Sequence, residues 1–187
     1  MFLEPTDRRY QDLVAHLGER HAGKSDLNGR PWQEHYRRVA VRVAMLNPRA
    51  SRDQMEAALF HDALFHGGGG YAFMERMGLS AESIRIVRAS TPPPDKDYFR
   101  DLRDMTPEQN ALYQTYIRAL AATGDAPTIE FKLADICDTI EQLTFCRIEE
   151  VRKQLYDQYL PARSLLEDEL RRSNDTRGQG APASVMR

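Results

Sequence analysis

Residues 131–136, Phe131-Lys132-Leu133-Ala134-Asp135-Ile136, set an acid among apolar neighbours, and their reading decides the fold. They lie in a segment opened by Pro127 in which Leu133, Ile136, Ile140, Leu143 and Ile148 recur at helical spacing. That periodicity predicts one long helix reaching toward Tyr159, with Pro161 beginning or kinking a last one. An ionised aspartate on its apolar face is costly unless it is paired or metal-bound. Asp135 therefore reads as a helix-start acid, as a partner of Lys132, or as a ligand.

Working outward, the same period recurs almost everywhere. Tyr10, Leu13, Val14 and Leu17 form a stripe after Thr6, and Trp32, Tyr36, Val39, Val43 and Leu46 form another, stopped by Pro48. Ser51 and Gln54 have the spacing of a capping box, and Met55, Ala58, Leu59 and Asp62 then share a face. Ser80 to Ser90 is a short helix ended by Pro92, Pro93 and Pro94. Thr106-Pro107-Glu108 has the capping hydroxyl, first-turn proline and acid of a helix start. Gly23 to Pro31 reads as a loop, and Gly67 to Gly70 as a mobile connection between helices. No alternating strand of useful length is found, so the fold class is all-α.

The 187 residues are enough for one core without disulfides. Residues 1–172 are read as a single helical domain and 173–187, polar and without periodicity, as a disordered tail. Cys137 and Cys146 fall on the one expected helix, about 13 Å apart along its axis, too far for a disulfide and consistent with reduced thiols. The net charge of −2 gives no case for nucleic acid as the main partner. No apolar run reaches the roughly 20 residues of a membrane span, and residues 1–7 have no leader pattern, so a cytoplasmic location is expected. The face carrying Ile148, Val151 and Leu155 is a candidate dimer surface as well as a core one.

Four side chains on three predicted helices form the chemical constellation. His61 and Asp62 are adjacent at the end of an apolar helix, His35 lies one turn before Val39 on a buried stripe, and Asp135 is on the long helix. Two imidazoles and two carboxylates offer a mixed nitrogen and oxygen set that suits Mn²⁺, Fe, Co or Zn²⁺ better than Ca²⁺.

The segments His21-Ala22-Gly23, Gly29-Arg30-Pro31-Trp32-Gln33-Glu34-His35, Val39-Ala40, Ala57-Ala58-Leu59-Phe60-His61-Asp62 and Lys132-Leu133-Ala134-Asp135 together resemble the HD superfamily. Within it, they are most similar to the hydrolase domain of the stringent-response (p)ppGpp synthetase/hydrolases. The resemblance spans roughly residues 10–145. It implies an HD-domain helical bundle with His35, His61, Asp62 and Asp135 as ligands of one divalent metal, usually Mn²⁺.

The surrounding positions depart from that family. Its Glu-Asp pair after the HD aspartate is Phe65 and His66 here. Its Arg-Lys pair before the first ligand is Asp26 and Leu27, and its Asn after the last ligand is Thr139. The resemblance thus retains the metal ligands and alters the groups that handle substrate. The expected activity is metal-dependent hydrolysis of a nucleotide or related phosphate ester, with (p)ppGpp among the candidates. Asp62 and His66 are the candidate proton acceptors, His66 one turn from Asp62. Lys24, Arg30, Arg38, Lys132 and Thr139 are candidate substrate contacts, each with a competing reading as an ordinary surface or packing residue. Tyr71, Phe73 and Tyr98 are candidates to stack on a base. The competing function is a non-catalytic metal- or nucleotide-binding regulator or sensor, favoured by the missing Glu-Asp pair.

Overall fold

The computed structural model describes residues 7–26, 28–61, 70–92 and 106–179, with side chains to residue 175. They form eight helices and no strand: α1 (Arg8–Arg20), α2 (Trp32–Leu46), α3 (Arg52–Phe60), α4 (Gly70–Arg76), α5 (Ala81–Ser90), α6 (Pro107–Ala122), α7 (Ala126–Leu143) and α8 (Glu149–Gln179). The all-α class read from the periodicity is the class observed.

The predicted caps are in place. In α3 the Gln54 amide donates to Ser51 Oγ at 3.2 Å, and the Ser51 amide donates to Gln54 Oε1 at 2.9 Å. Thr106 and Gln109 repeat the arrangement at α6, with Pro107 in the first turn. Each cap satisfies two backbone groups that a helix start leaves without partners.

Helix α7 is the internal wall of the bundle. Phe131 and Ala134 face a core shared with α1, α2, α3 and α5. Ile129, Leu133 and Ile136 face a second core built with α6 and α8. Tyr36, Val39, Ala40 and Val43 of α2 are almost entirely shielded from solvent. The polar positions of α7 are thereby trapped between apolar faces, which puts Asp135 and Asp138 inside the protein.

Three sequence expectations change. The single helix from Pro127 toward Tyr159 is two, broken at residues 144–148. Amides of Thr144, Phe145 and Cys146 bond to carbonyls three residues earlier, closing α7 in a tightened last turn. Cys146 then buries with Leu143, Val151 and Leu155, while Ile148 is 49 % exposed. Cys137 lies in α7 and Cys146 in this turn, both as free thiols. Second, α8 runs through Pro161 and continues to Gln179, past the expected boundary at residue 172. Ion pairs one turn apart line its polar face, Arg163–Glu167 at 2.6 Å, Arg172–Glu169 at 3.2 Å and Arg171–Asp168. They support the exposed face of a helix whose other face buries Val151, Leu155, Ala162 and Leu166. Third, the glycine run ends in a helix: α4 starts at Gly70, whose φ of 67° favours glycine, and it buries Phe73 and Met74. Gly67 to Gly69 lie outside the described residues.

Candidate metal centre

Three helices deliver one candidate ligand each. His35 is in the first turn of α2, His61 directly follows α3, and Asp135 is in the middle of α7. His35 Nε2 and His61 Nε2 are 3.1 Å apart, and each is 3.5 Å from Asp135 Oδ1. Three helix faces that are distant in sequence thus present two imidazole nitrogens and a carboxylate oxygen to one point.

The outer nitrogens fix which atoms face inward. His61 Nδ1–H donates to the Ala58 carbonyl at 2.8 Å. His35 Nδ1–H donates to Asp138 Oδ2 at 2.8 Å. Both partners only accept, so the Nδ1 atoms carry the protons and both Nε2 lone pairs point into the centre with Asp135 Oδ1. Three such atoms at these separations form a donor set that one cation could share. Bonds of ~2.1 Å to each atom, at the observed 3.1 and 3.5 Å separations, correspond to angles of about 95–113° at an ion. The residues present therefore fit a divalent metal. The walls are apolar: Tyr36 and Phe131 rings lie 5.4 Å from the His61 ring, and Trp32 lies 6.1 Å from the His35 ring.

Charge is arranged around Asp135. Its Oδ2 accepts from Lys132 Nζ at 2.8 Å, which leaves Oδ1 to the imidazoles. Burial pushes the Asp135 carboxyl up. The Lys132 charge outweighs that and, with the two histidines beside it, holds the carboxyl well below the usual carboxylate range. Burial would likewise lower Lys132, and the charge of Asp135 holds the ammonium well above its ordinary value. Asp138 is fully buried. Burial raises its carboxyl, and hydrogen bonds from His35 and Arg38 with the Arg38 charge bring it below the ordinary value.

The candidate substrate contacts are differently occupied. Arg38 Nε donates to both Asp138 oxygens, at 2.9 and 3.1 Å, and its terminal nitrogens face Asp26 at 3.7 Å and Glu34 at 3.9 Å. Lys132 is buried against Asp135. Thr139 Oγ1 donates to the Asp135 carbonyl at 3.1 Å, within its own helix. Arg30 donates to Gln142 Oε1 at 2.6 Å, with its guanidinium 5.1 Å from the Phe145 ring. Lys24 is exposed in the loop before α2, where its carbonyl accepts from the Trp32 amide at 3.1 Å. Asp26 builds this loop: its Oδ1 accepts from the Asn28 and Arg30 amides at 2.8 and 3.0 Å. Phe73 packs on Phe60, at 6.0 Å between rings, inside the core. The Arg88 guanidinium covers the Tyr71 ring at 4.5 Å. Asp62, Phe65, His66, Leu27 and Tyr98 lie outside the described residues.

Sequence reasoning missed Asp138. The signal was present: it sits three residues after Asp135 on the same helix, an acid one turn along an otherwise apolar face.

The fold is all-helical, and His35, His61 and Asp135 converge from three of its segments. No family model and no curated protein matches the chain. Among solved structures, it is similar to one described as a metazoan ortholog of SpoT that hydrolyzes ppGpp and plays a role in starvation responses. The TM-score is 0.62 at 18 % identity, and the match covers 94 % of this chain and 99 % of that one. Fold is what is shared at that identity. No described helix is long and apolar enough to cross a membrane.

Proposed function

We propose that this protein is a divalent-metal-dependent phosphohydrolase acting on a nucleotide or related small phosphate ester, with Mn²⁺ the first candidate metal and a ppGpp-like compound among the substrates. The observation that carries the proposal is the convergence of His35 Nε2, His61 Nε2 and Asp135 Oδ1 within 3.5 Å of one another. Similarity to a structure whose description names a ppGpp hydrolase supports the reaction class. In this reading Asp62, next to His61 in the chain, is the fourth ligand. When bound, a divalent ion supplies Lewis acidity toward water and toward a phosphoryl oxygen.

The chain's own residues have separable parts. His35, His61 and Asp135 hold the ion, and the rings of Tyr36, Phe131 and Trp32 limit water around it. Lys132 balances Asp135 instead of gripping phosphate. His66 takes a proton from the attacking water, a role suited to a group that titrates near neutrality. Lys24, Thr139 and an Arg38 released from its acids are the remaining candidates for substrate contact.

The test is to purify the protein, quantify bound metal, and assay phosphate and pyrophosphate release from a nucleotide panel including ppGpp with added Mn²⁺. Turnover that disappears in Asp62→Ala together with metal binding is the expected result. A folded protein with neither metal nor turnover refutes the enzyme. Metal binding without turnover favours the second reading, a regulator or sensor that keeps the HD core, for which the Phe65-His66 replacement is the specific motive.

A further inference from the structure

We propose that Asp138 is a positioning residue of the metal centre: it holds the His35 ring with Nε2 turned toward His61 and Asp135, and Arg38 and Arg42 hold Asp138 in turn. The inference rests on the metal-site reading and extends it to three residues behind the His35 ring.

The two histidines are anchored by different means. His61 is fixed by a backbone carbonyl of its own helix, that of Ala58. His35, at the start of α2, reaches across to α7 for a side-chain acceptor, the Asp138 carboxylate at 2.8 Å. Without that acceptor the His35 ring has no reason on this side to keep its proton on Nδ1. A half-turn about its Cβ–Cγ bond would then present a different edge to the centre. A carboxylate behind a ligating imidazole fixes both tautomer and ring orientation, and it makes the inward nitrogen a stronger donor than a carbonyl does.

Asp138 itself has no freedom to leave. Its Oδ2 accepts from His35 and, at 3.1 Å, from Arg38. Its Oδ1 accepts from Arg38 at 2.9 Å and from Arg42 at 3.3 Å. The guanidiniums are held on their far sides, Arg38 by Asp26 and Glu34 and Arg42 by Glu141. His35, Arg38 and Arg42 lie on successive turns of α2, and Asp135 and Asp138 one turn apart on α7, so the packing of α2 against α7 brings the five groups together. An acid in a fully buried position with three cationic or donor partners is expensive to assemble unless its direction matters.

The experiment compares wild type with Asp138→Asn, which preserves shape and removes the charge. In the metal-free protein with ¹⁵N-labelled histidine, NMR is expected to show His35 protonated on Nδ1. In Asp138→Asn the His35 signals move toward the Nε2–H form while those of His61, anchored on Ala58, stay. The Kd for Mn²⁺ rises by about 10–100-fold. A wild-type His35 with its proton on Nε2 and a bare Nδ1 overturns the proposal, as does an Asp138→Asn protein with unchanged His35 signals and unchanged Mn²⁺ affinity. If Asp138→Asn fails to fold, the wild-type tautomer still decides, and Arg42→Gln is expected to move His35 signals in the same direction by a smaller amount. The two readings fail separately: a wild type that binds no Mn²⁺ refutes the metal site, while the tautomer of His35 reports on Asp138 alone.

Discussion

Replacing Lys132 by methionine keeps the apolar stem and deletes the charge that faces Asp135. At 2.8 Å and an effective dielectric of ~20 the attraction is worth about 6 kcal/mol, against a desolvation cost of several kcal/mol for each ion. Both groups are shielded, their side chains only 10 % and 13 % exposed, so solvent does little to replace the lost partner. Removing one member of such a pair leaves the other charge buried and costs about 3–5 kcal/mol. At about 2–4 °C per kcal/mol for a chain of this size, Lys132→Met should lower Tm by about 6–20 °C at pH 7 without metal. The loss should be flat across neutral pH. Lys132 is held above its ordinary value, so its contribution persists until pH rises well past 10.5. Asp135 is held below its ordinary value, so its contribution is present above about pH 4 and fades only in strong acid. In the variant the Asp135 carboxyl rises, and the acid limb of the stability curve moves up with it. Added Mn²⁺ should restore part of the loss, because an ion supplies positive charge on the Oδ1 side. Thermal melts and urea titrations of both proteins, with and without Mn²⁺, measure all of this. A metal-free Tm within about 2 °C of wild type would show that Lys132 does not neutralise a buried Asp135.

Further outcomes follow from other parts of the fold. Ser51→Ala removes the acceptor for the Gln54 amide and should cost about 1 kcal/mol in urea denaturation; no change would mean that α3 starts without its cap. Phe131→Ala opens the core beside His61 and should cost about 3–5 kcal/mol while weakening Mn²⁺ binding; a stable variant with intact affinity would contradict the wall assigned to that ring. Mn²⁺ at a hundredfold excess over its Kd should stabilise the protein by about 2.7 kcal/mol, read as a rise in Tm that a chelator reverses. That rise should vanish on acidification as Asp135 and Asp138, both held below ordinary values, take up protons. A rise in Tm that a chelator leaves unchanged would mean that no bound ion produces it.

The helical class and most helix starts were legible because they rest on local rules, a period near 3.6 and a capping pair. His35, His61 and Asp135 were legible for a related reason: each is a polar residue in an apolar register, where only a specific partner justifies it. The same reasoning was not carried one turn further to Asp138. Lys132 and Arg38 show what sequence hides. A basic residue near a metal site reads as a phosphate grip until the structure places an acid 2.8 or 2.9 Å from it. The break between α7 and α8 was invisible because the apolar period runs through it with no glycine or proline, and only Cys146 turning inward reveals it. Asp26 looked like a lost phosphate contact. In the fold it is the acceptor that shapes the loop leading to α2.

Helix α7 faces two separate cores, and Asp135 and Asp138 sit on the strip between them. A ligand gripped there is attached to a beam that both halves of the molecule lean on. Ion occupancy should then be felt far from the ion: backbone amides of α6 and α8, which supply no ligand in this centre, should exchange with deuterium more slowly once Mn²⁺ is added. Protection confined to the ends of α2 and α3 would instead mean that the halves open independently. The site and the load-sharing of the bundle are in this sense one piece of architecture, and substrate-free metal would already be a folding partner of the whole chain.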